Sequence, residues 1–228
     1  MIPTYIAQVG CGASFPIDNV EIIRSLRHYV AENIRTARRF LKSVDKSIDI
    51  DSLTIDELNE HTPEASVPAM LAYAEQGEDI GMVSEAGCPG VADPGALLAC
   101  EAHSRGIKVI PLVGPSSLLM ALMASGLNGQ NFAFKGYLPV GGDVNKTLKS
   151  MEERSARENQ TQLFIETPYR NDKMMQTLLK TLRKDTRLCV ARDVMGPEEL
   201  IETHRVSTWL KRQLPELNKR PTVFLFLA

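Results

Sequence analysis

No uninterrupted apolar run in this chain of 228 residues approaches the roughly twenty that a membrane helix requires. The longest candidate, Leu118 to Leu127, is too short and is broken by Ser125 and Gly126. No membrane span is expected. The start, Met1 to Gly12, has no basic stretch ahead of an apolar one, so it does not read as a secretory signal. Cysteine is scarce: Cys11, Cys88, Cys100 and Cys189 have no short repeated spacing of the zinc type, and a chain of this size needs no disulfide framework. A cytoplasmic setting is the simplest expectation. His28, His61, His103 and His204 show no metal-ligand spacing, and no metal is expected. Neither charge sign dominates, with 26 Lys+Arg against 28 Asp+Glu, so the overall balance gives no pull toward nucleic acid. Nucleophile elbows, Walker loops and Cys-His pairs are missing as well.

What is present is a globular composition, 43% hydrophobic and 24% charged, arranged in a repeated order of apolar β-rich run, turn and helical period. That order predicts α/β architecture with parallel strands. In the first half, strands are expected at Thr4 to Val9, Tyr29 to Ala31, Ile80 to Val83 and Lys108 to Val113. Helices are expected at Val20 to Leu26, Arg35 to Val44, Val67 to Gln76 and Gly95 to Ser104. The polar break Asn128-Gly129-Gln130-Asn131 precedes a second series. Its strands are Phe132 to Tyr137, Leu163 to Glu166, Leu188 to Arg192, Ile201 to Val206 and Val223 to Leu227. Helical periods lie between them at Lys146 to Arg157, Lys173 to Leu182 and Thr208 to Leu214. The boundary is expected between Gly114 and Asn131, giving two α/β lobes, 1–115 and 116–228.

Chemistry is expected first at Ser84-Glu85-Ala86-Gly87-Cys88-Pro89-Gly90-Val91-Ala92-Asp93-Pro94-Gly95, a strand exit running into a helix. Loops at the carboxyl ends of parallel strands are where α/β sheets bind ligands. Gly87, Gly90 and Gly95 permit positive φ and close backbone approach, and Pro89 and Pro94 stiffen the loop. A tight structural turn would need fewer residues. The next strand exits into Gly114-Pro115-Ser116-Ser117, where a serine could simply cap the following helix. That helix, Leu118 to Ser125, has no charged residue and is expected to be buried.

Two other stretches compete. Val9-Gly10-Cys11-Gly12-Ala13 follows a strand, with Glu32 twenty residues after Gly12, the outline of a dinucleotide fingerprint. The third glycine is missing, and Phe15-Pro16 interrupts the helix start where a diphosphate would sit. Arg35, Arg38 and Arg39 follow Glu32-Asn33, and Arg35 and Arg38, three apart, can share a face. A solvated basic face is the plain reading, but their helix begins on the same strand edge as the glycine loops, where an anionic substrate would be met.

The runs SEAGCPGVADPG, IPLVGPSSLLMALMASGL, FKGYLP, LFIETPYR and ARDVMGPEELIETHR together resemble the tetrapyrrole methylase superfamily, and within it the branch of ribosomal RNA small subunit methyltransferase I. The resemblance implies a two-lobed α/β methyltransferase holding S-adenosylmethionine in the cleft between lobes. It implies donor-binding roles for Ser84, Ala86, Gly87, Pro89, Gly90, Val91 and Asp93, for Gly114, Ser116 and Ser117, and for Tyr137, Thr167 and Pro168. It places Glu32, Asn33, Arg35 and Arg38 on the acceptor side and names no catalytic base. Ribosomal members carry a Thr-Pro-Ile-Gly-Asn type loop and Glu-Asp-Thr-Arg where this chain has Gln8-Val9-Gly10-Cys11-Gly12 and Glu32-Asn33-Ile34-Arg35. The implied reaction is 2'-O-methylation of a cytidine in small-subunit ribosomal RNA by a cytoplasmic homodimer. The alternatives are a precorrin-type tetrapyrrole methyltransferase, an oxidoreductase using Gly10, Gly12 and Glu32, and a donor-binding protein with a degenerate acceptor site.

Overall fold

The computed structural model describes residues 1–7, 15–139 and 143–228. The chain divides into two compact units, Met1–Ser116 and Ser117–Ala228.

In the first unit, α1 (Ile17–Ser25) leads to β1 (His28–Ala31) and then α2 (Ile34–Val44). Ala37, Phe40 and Leu41 of α2 are buried at helical spacing, and Asn33 caps its start by accepting from the Arg35 and Thr36 amides. The polar, half-open segment β2 (Thr54–Glu57) pairs parallel with β1, a strand the apolar pattern did not reveal. A 3-10 stretch at Glu64–Leu71 runs into the single turn α3 (Ala72–Glu75), in place of the continuous helix expected at Val67 to Gln76. Pro68 lies inside that stretch and cannot donate to an α-helical bond. Next come β3 (Ile80–Val83) and α4 (Ala96–Ser104). The sheet order is β2-β1-β3, all parallel.

Two expected strands of this unit are not ladders. Of Thr4 to Val9, only Thr4 makes a bridge, to Gly87, and positions 8 and 9 lie outside the described residues. Lys108 to Val113 runs beside Met1, with the Met1 ammonium donating to the Ile110 carbonyl and the Leu112 amide to the Met1 carbonyl. Pro3 and Pro111 each remove an N–H donor, so pairing stays at isolated bonds. Ile2 is fully buried, its amide bonded to the Met82 carbonyl. Gly81 makes room for it: a Cβ there would stand 2.8 Å from Ile2 Cδ1 and from the Tyr29 ring. Gly81→Val is therefore expected to destabilise the unit by about 1–3 kcal/mol through overpacking, measured by denaturant unfolding.

The second unit starts with α5 (Ser117–Ser125), then β4 (Phe132–Tyr137), α6 (Val144–Glu158), β5 (Thr161–Ile165), a 3-10 turn at Pro168–Arg170 and α7 (Asn171–Thr181). After these come β6 (Arg187–Arg192), β7 (Leu200–Arg205), the one-turn helix α8 (Val206–Trp209) and β8 (Thr222–Leu227). The expected helix at Thr208 to Leu214 is thus only one turn, shifted toward β7. The sheet order is β4-β5-β8-β6-β7. Only β4 and β5 are parallel; β8 runs against both β5 and β6, and β6 against β7, which corrects the expectation of parallel strands throughout. β8 is buried along its whole length, as its apolar run Thr-Val-Phe-Leu-Phe-Leu requires of a central strand covered on both faces. One core gathers Leu148, Phe164, Leu178, Val190, Trp209 and Phe224, and the Trp209 indole donates to the Leu188 carbonyl over 2.9 Å. Helix α5 buries Ala121, Leu122 and Ser125 but leaves Leu119 and Met123 exposed, so its lack of charge does not mean burial on every side.

Candidate functional site

The parallel pairing of β1 with β3 puts Ala31 opposite Val83, so both strands end at one edge and release their loops side by side. The Glu32 amide donates to the Val83 carbonyl over 3.2 Å, and the Glu32 carboxylate accepts from the Glu85 amide over 3.0 Å. The expected acceptor-side and donor-side loops of this unit are therefore tied together at their first residues. Sequence reading placed Glu85 in the loop without giving it a role. The order of strands, unknown until the fold is seen, is what makes it Glu32's partner.

Beyond Glu85, the loop is built on positive φ at Gly87, Gly90 and Gly95. Ala92, a non-glycine residue, also sits at positive φ, a conformation that alanine adopts only at a cost. Internal bonds from the Gly90 amide to Pro94 and from the Val91 amide to Cys88 close the loop on itself. Ser84, Gly87 and Pro89 are buried, Gly90 and Asp93 half-buried, and Ala86 and Val91 exposed. Two contacts moor the loop: the Thr4 amide donates to the Gly87 carbonyl, and the Cys88 thiol to the Pro115 carbonyl over 3.5 Å. The second brings the 84–95 loop against the Gly114-Pro115-Ser116 turn, although no fourth strand carries that turn. Gly114 is explained by its own unit, since a Cβ there would overlap the Pro3 ring. Gly114→Val would therefore disturb the fold of this unit before it reported on ligand room.

The electrostatics of the edge are acidic. Burial raises the Asp93 carboxyl from its ordinary 3.8 to about 6, helped by the Glu32 and Glu85 charges and opposed by the Ser84 hydroxyl. Burial also pushes the Cys88 thiol up, with Asp93 adding to it. Because the folded value for Asp93 lies above the unfolded one, the contribution to stability is fully present below about pH 4, falls as pH rises from about 4 to 6, and is gone above about 6. The whole shift would correspond to about 3 kcal/mol, and solvent reaching a half-buried group reduces this to roughly 1. Asp93→Asn is accordingly expected to stabilise the protein by about 1 kcal/mol at pH 7.5 and to change nothing below about pH 4, read from unfolding midpoints at both values.

On the other side of the edge, Asn33 is engaged as the α2 cap, accepting from Arg35 N and Thr36 N over 3.0 and 3.1 Å. An aspartate would serve as well, so the exchange of Asp for Asn leaves the helix start intact. Arg35 and Arg38 are exposed, as are Arg39 and Lys42, and no carboxylate lies within α2. None of these three arginines makes an ion pair among the described residues.

Gly10, Cys11 and Gly12 of the dinucleotide outline lie outside the described residues. In the second unit, Ser117 opens α5 and Tyr137 ends β4, more than half exposed. Thr167 is exposed and precedes the 3-10 turn that Pro168 begins; its amide donates to the Glu166 carboxylate. Among the described residues no group of three or more His, Cys, Asp or Glu side chains could hold a metal. No helix among them is long and apolar enough to cross a membrane.

Known proteins resemble this chain in sequence and in fold. Ribosomal RNA small subunit methyltransferase I of Vibrio cholerae is 29% identical over 202 residues, 89% of this chain and 66% of its own length. The Thermotoga maritima protein of the same name is 33% identical over 147 residues, covering 64% of this chain and 61% of its own. The chain thus spans about two thirds or less of these relatives. Among solved structures, the methyltransferase CobJ superposes with a TM-score of 0.61 at 17% identity, over 93% of this chain and 87% of that one. Diphthine synthase gives 0.62 at 16%, over 94% and 84%. At such identities they speak to the fold alone. Residues 10–208 match the family Tetrapyrrole (Corrin/Porphyrin) Methylases, and the chain belongs to that family.

Proposed function

We propose that this methylase transfers the methyl group of S-adenosylmethionine to a ribose 2'-hydroxyl of a cytidine in small-subunit ribosomal RNA. The observation that carries the reading is the shared edge of β1 and β3, where a glycine loop moored to the Gly114–Ser116 turn meets three carboxylates on one side and the unpaired basic face of α2 on the other.

The residues present suit the donor. Gly87 and Gly90 let backbone amides approach without a side chain between, and Glu32, Glu85 and Asp93 offset the positive charge of a sulfonium compound. Ser84, Gly87, Gly90 and Asp93 with the 114–116 turn would hold it. Bound there, the donor would supply an electrophilic methyl group to the ribose 2'-oxygen, its sulfur leaving as a neutral thioether and the hydroxyl proton passing to solvent. The chain's part is alignment and exclusion of water, the work of a stiff, moored loop rather than of a strong acid or base. On α2, Arg35 and Arg38 would position the phosphates flanking the target ribose.

The relatives' names favour ribosomal RNA over a tetrapyrrole acceptor. Family membership favours methyl transfer over the oxidoreductase alternative. A cytoplasmic location follows from an RNA acceptor in the small ribosomal subunit. Homodimerisation is supported by the exposed Leu119 and Met123, one helical turn apart on α5, and sedimentation at the monomer mass of 25.2 kDa at micromolar protein would overturn it.

The test offers labelled S-adenosylmethionine with small ribosomal subunits from cells lacking the gene, and with precorrin-type tetrapyrroles in parallel. Label is expected in the RNA of the subunits, and label only in the tetrapyrrole would overturn the acceptor assignment. Label in neither would favour a degenerate acceptor site. Arg35→Ala and Arg38→Ala are each expected to weaken RNA binding, leave donor affinity unchanged and flatten the salt dependence by about one unit.

A further inference from the structure

The two units carry opposite charge. Residues 1–116 hold 9 Lys+Arg against 16 Asp+Glu, a net of -7, whereas residues 117–228 hold 17 against 12, a net of +5. Many arginines of the second unit are neutralised locally: Arg154 and Arg157 on Glu158, Arg170 on Glu166, Arg212 on Glu202 and Arg220 on Glu198. One group is not. In the register of β6 with β7, Arg187 stands directly opposite Arg205. Both are exposed, and neither makes an ion pair or hydrogen bond through its side chain among the described residues. Like charges directly opposite on neighbouring strands oppose sheet formation, and β7 is an edge strand where a neutral or acidic residue would fit as well.

The corner around this pair adds more cations and holds them in place. Arg183 and Lys184 are exposed in the turn between α7 and β6. The turn is pinned by the buried Glu152 carboxylate, which accepts from the Arg183 amide and the Thr186 hydroxyl. It is pinned again by the Ser207 amide on the Lys184 carbonyl and the Val206 amide on the Thr186 carbonyl. Arg183 reaches Glu152 only at 3.8 Å, and Asp185 is the one exposed carboxylate of the turn. Four cationic side chains therefore project from a backbone fixed by buried hydrogen bonds. Such an array suits an extended polyanion, whose closely spaced phosphates relieve the repulsion that the fold leaves standing.

We propose that Arg183, Lys184, Arg187 and Arg205 form a phosphate-backbone contact for the RNA acceptor, additional to the basic face of α2. This rests on the ribosomal RNA reading above. The contact is independent of sequence, since it meets phosphates and no base edge, and its contribution is affinity and orientation.

The test uses the full chain with a fluorescent fragment of small-subunit ribosomal RNA, its binding followed by anisotropy from low to high salt. The double variant Arg187→Gln/Arg205→Gln is expected to bind about tenfold or more weakly, with a slope of log affinity against log salt shallower by about 1.4–1.8, the value for two lost phosphate contacts. Its affinity for S-adenosylmethionine should be unchanged and its melting temperature equal or higher. Arg187→Lys/Arg205→Lys should retain most of the binding, and Arg154→Gln/Arg157→Gln, which removes two locally paired charges, should retain it as well. Unchanged affinity and slope in Arg187→Gln/Arg205→Gln, with RNA bound normally by the native chain, would overturn this contact and leave the acceptor reading standing. An equal loss in Arg154→Gln/Arg157→Gln would also overturn it, by reducing the effect to net charge. Absence of any salt-dependent RNA binding by the native chain would overturn both.

Discussion

Gly87→Val is expected to abolish detectable binding of S-adenosylmethionine, a loss of at least about 100-fold that isothermal titration would read directly. Gly87 has φ +77, a region in which a β-branched residue is a genuine outlier. The loop cannot relax away from the strain cheaply, because the Gly87 carbonyl is held by the Thr4 amide and the next residue by Pro115. Among the described residues a Cβ at Gly87 meets only Ile6 Cγ2 at 3.4 Å and Pro115 O at 3.9 Å, so the space is tight without being closed and the unit should still fold. Circular dichroism separates the cases: a folded variant with native donor affinity would remove this loop from the site. The same experiment at Gly114 would be ambiguous, since overlap with Pro3 strikes the fold first.

The largest effect on stability is expected in the second unit. Trp209 is the single tryptophan, only 1% exposed, and its indole N–H is satisfied by the Leu188 carbonyl. Trp209→Ala should cost about 4 kcal/mol in denaturant unfolding followed by far-ultraviolet circular dichroism. Trp209→Phe keeps most of the volume and leaves that carbonyl without its donor, for a loss of about 1–2 kcal/mol. Equal losses in the two variants would show that the hydrogen bond, and not the packing, dominates.

How far the fold could be read beforehand depended on which forces were local. Buried strands with apolar runs, such as β3 and β8, announce themselves, as does α2 with its cap and its Ala37-Phe40-Leu41 face. β2 did not, because Thr-Ile-Asp-Glu at a sheet edge has one side in solvent and no alternation to speak of. Lys108 to Val113 has the apolar content of a strand, but whether it joins a ladder depends on a neighbour, and that neighbour carries Pro3. The direction of β6, β7 and β8 is likewise a matter of long-range partners that the apolar pattern does not encode.

The candidate site divides the same way. Gly87, Gly90 and Asp93 could be singled out because a loop so rich in glycine and proline exceeds what a turn requires. The link of Glu32 to Glu85, 53 residues apart, and that of Cys88 to Pro115 exist only through the strand order. Asn33, standing where ribosomal members carry Asp, has a plain task in the fold as a helix cap.

The central place of β8 has a consequence for how the protein comes into being. Gln162 pairs with Phe226 and Arg187 with Leu227, so a strand made some sixty residues after β5 is the one that joins the parallel pair β4–β5 to the hairpin β6–β7. Until residues 222–227 have emerged from the ribosome, β5 and β6 each present an unpaired, apolar edge, and vectorial synthesis gives the second unit nothing to close on. The first unit, whose three-stranded sheet is finished by Val83, faces no such wait. Maturation should therefore be sequential, with the acidic unit formed on the nascent chain and the basic unit sealing late, during which interval chaperone binding would be drawn to the open edges of β5 and β6.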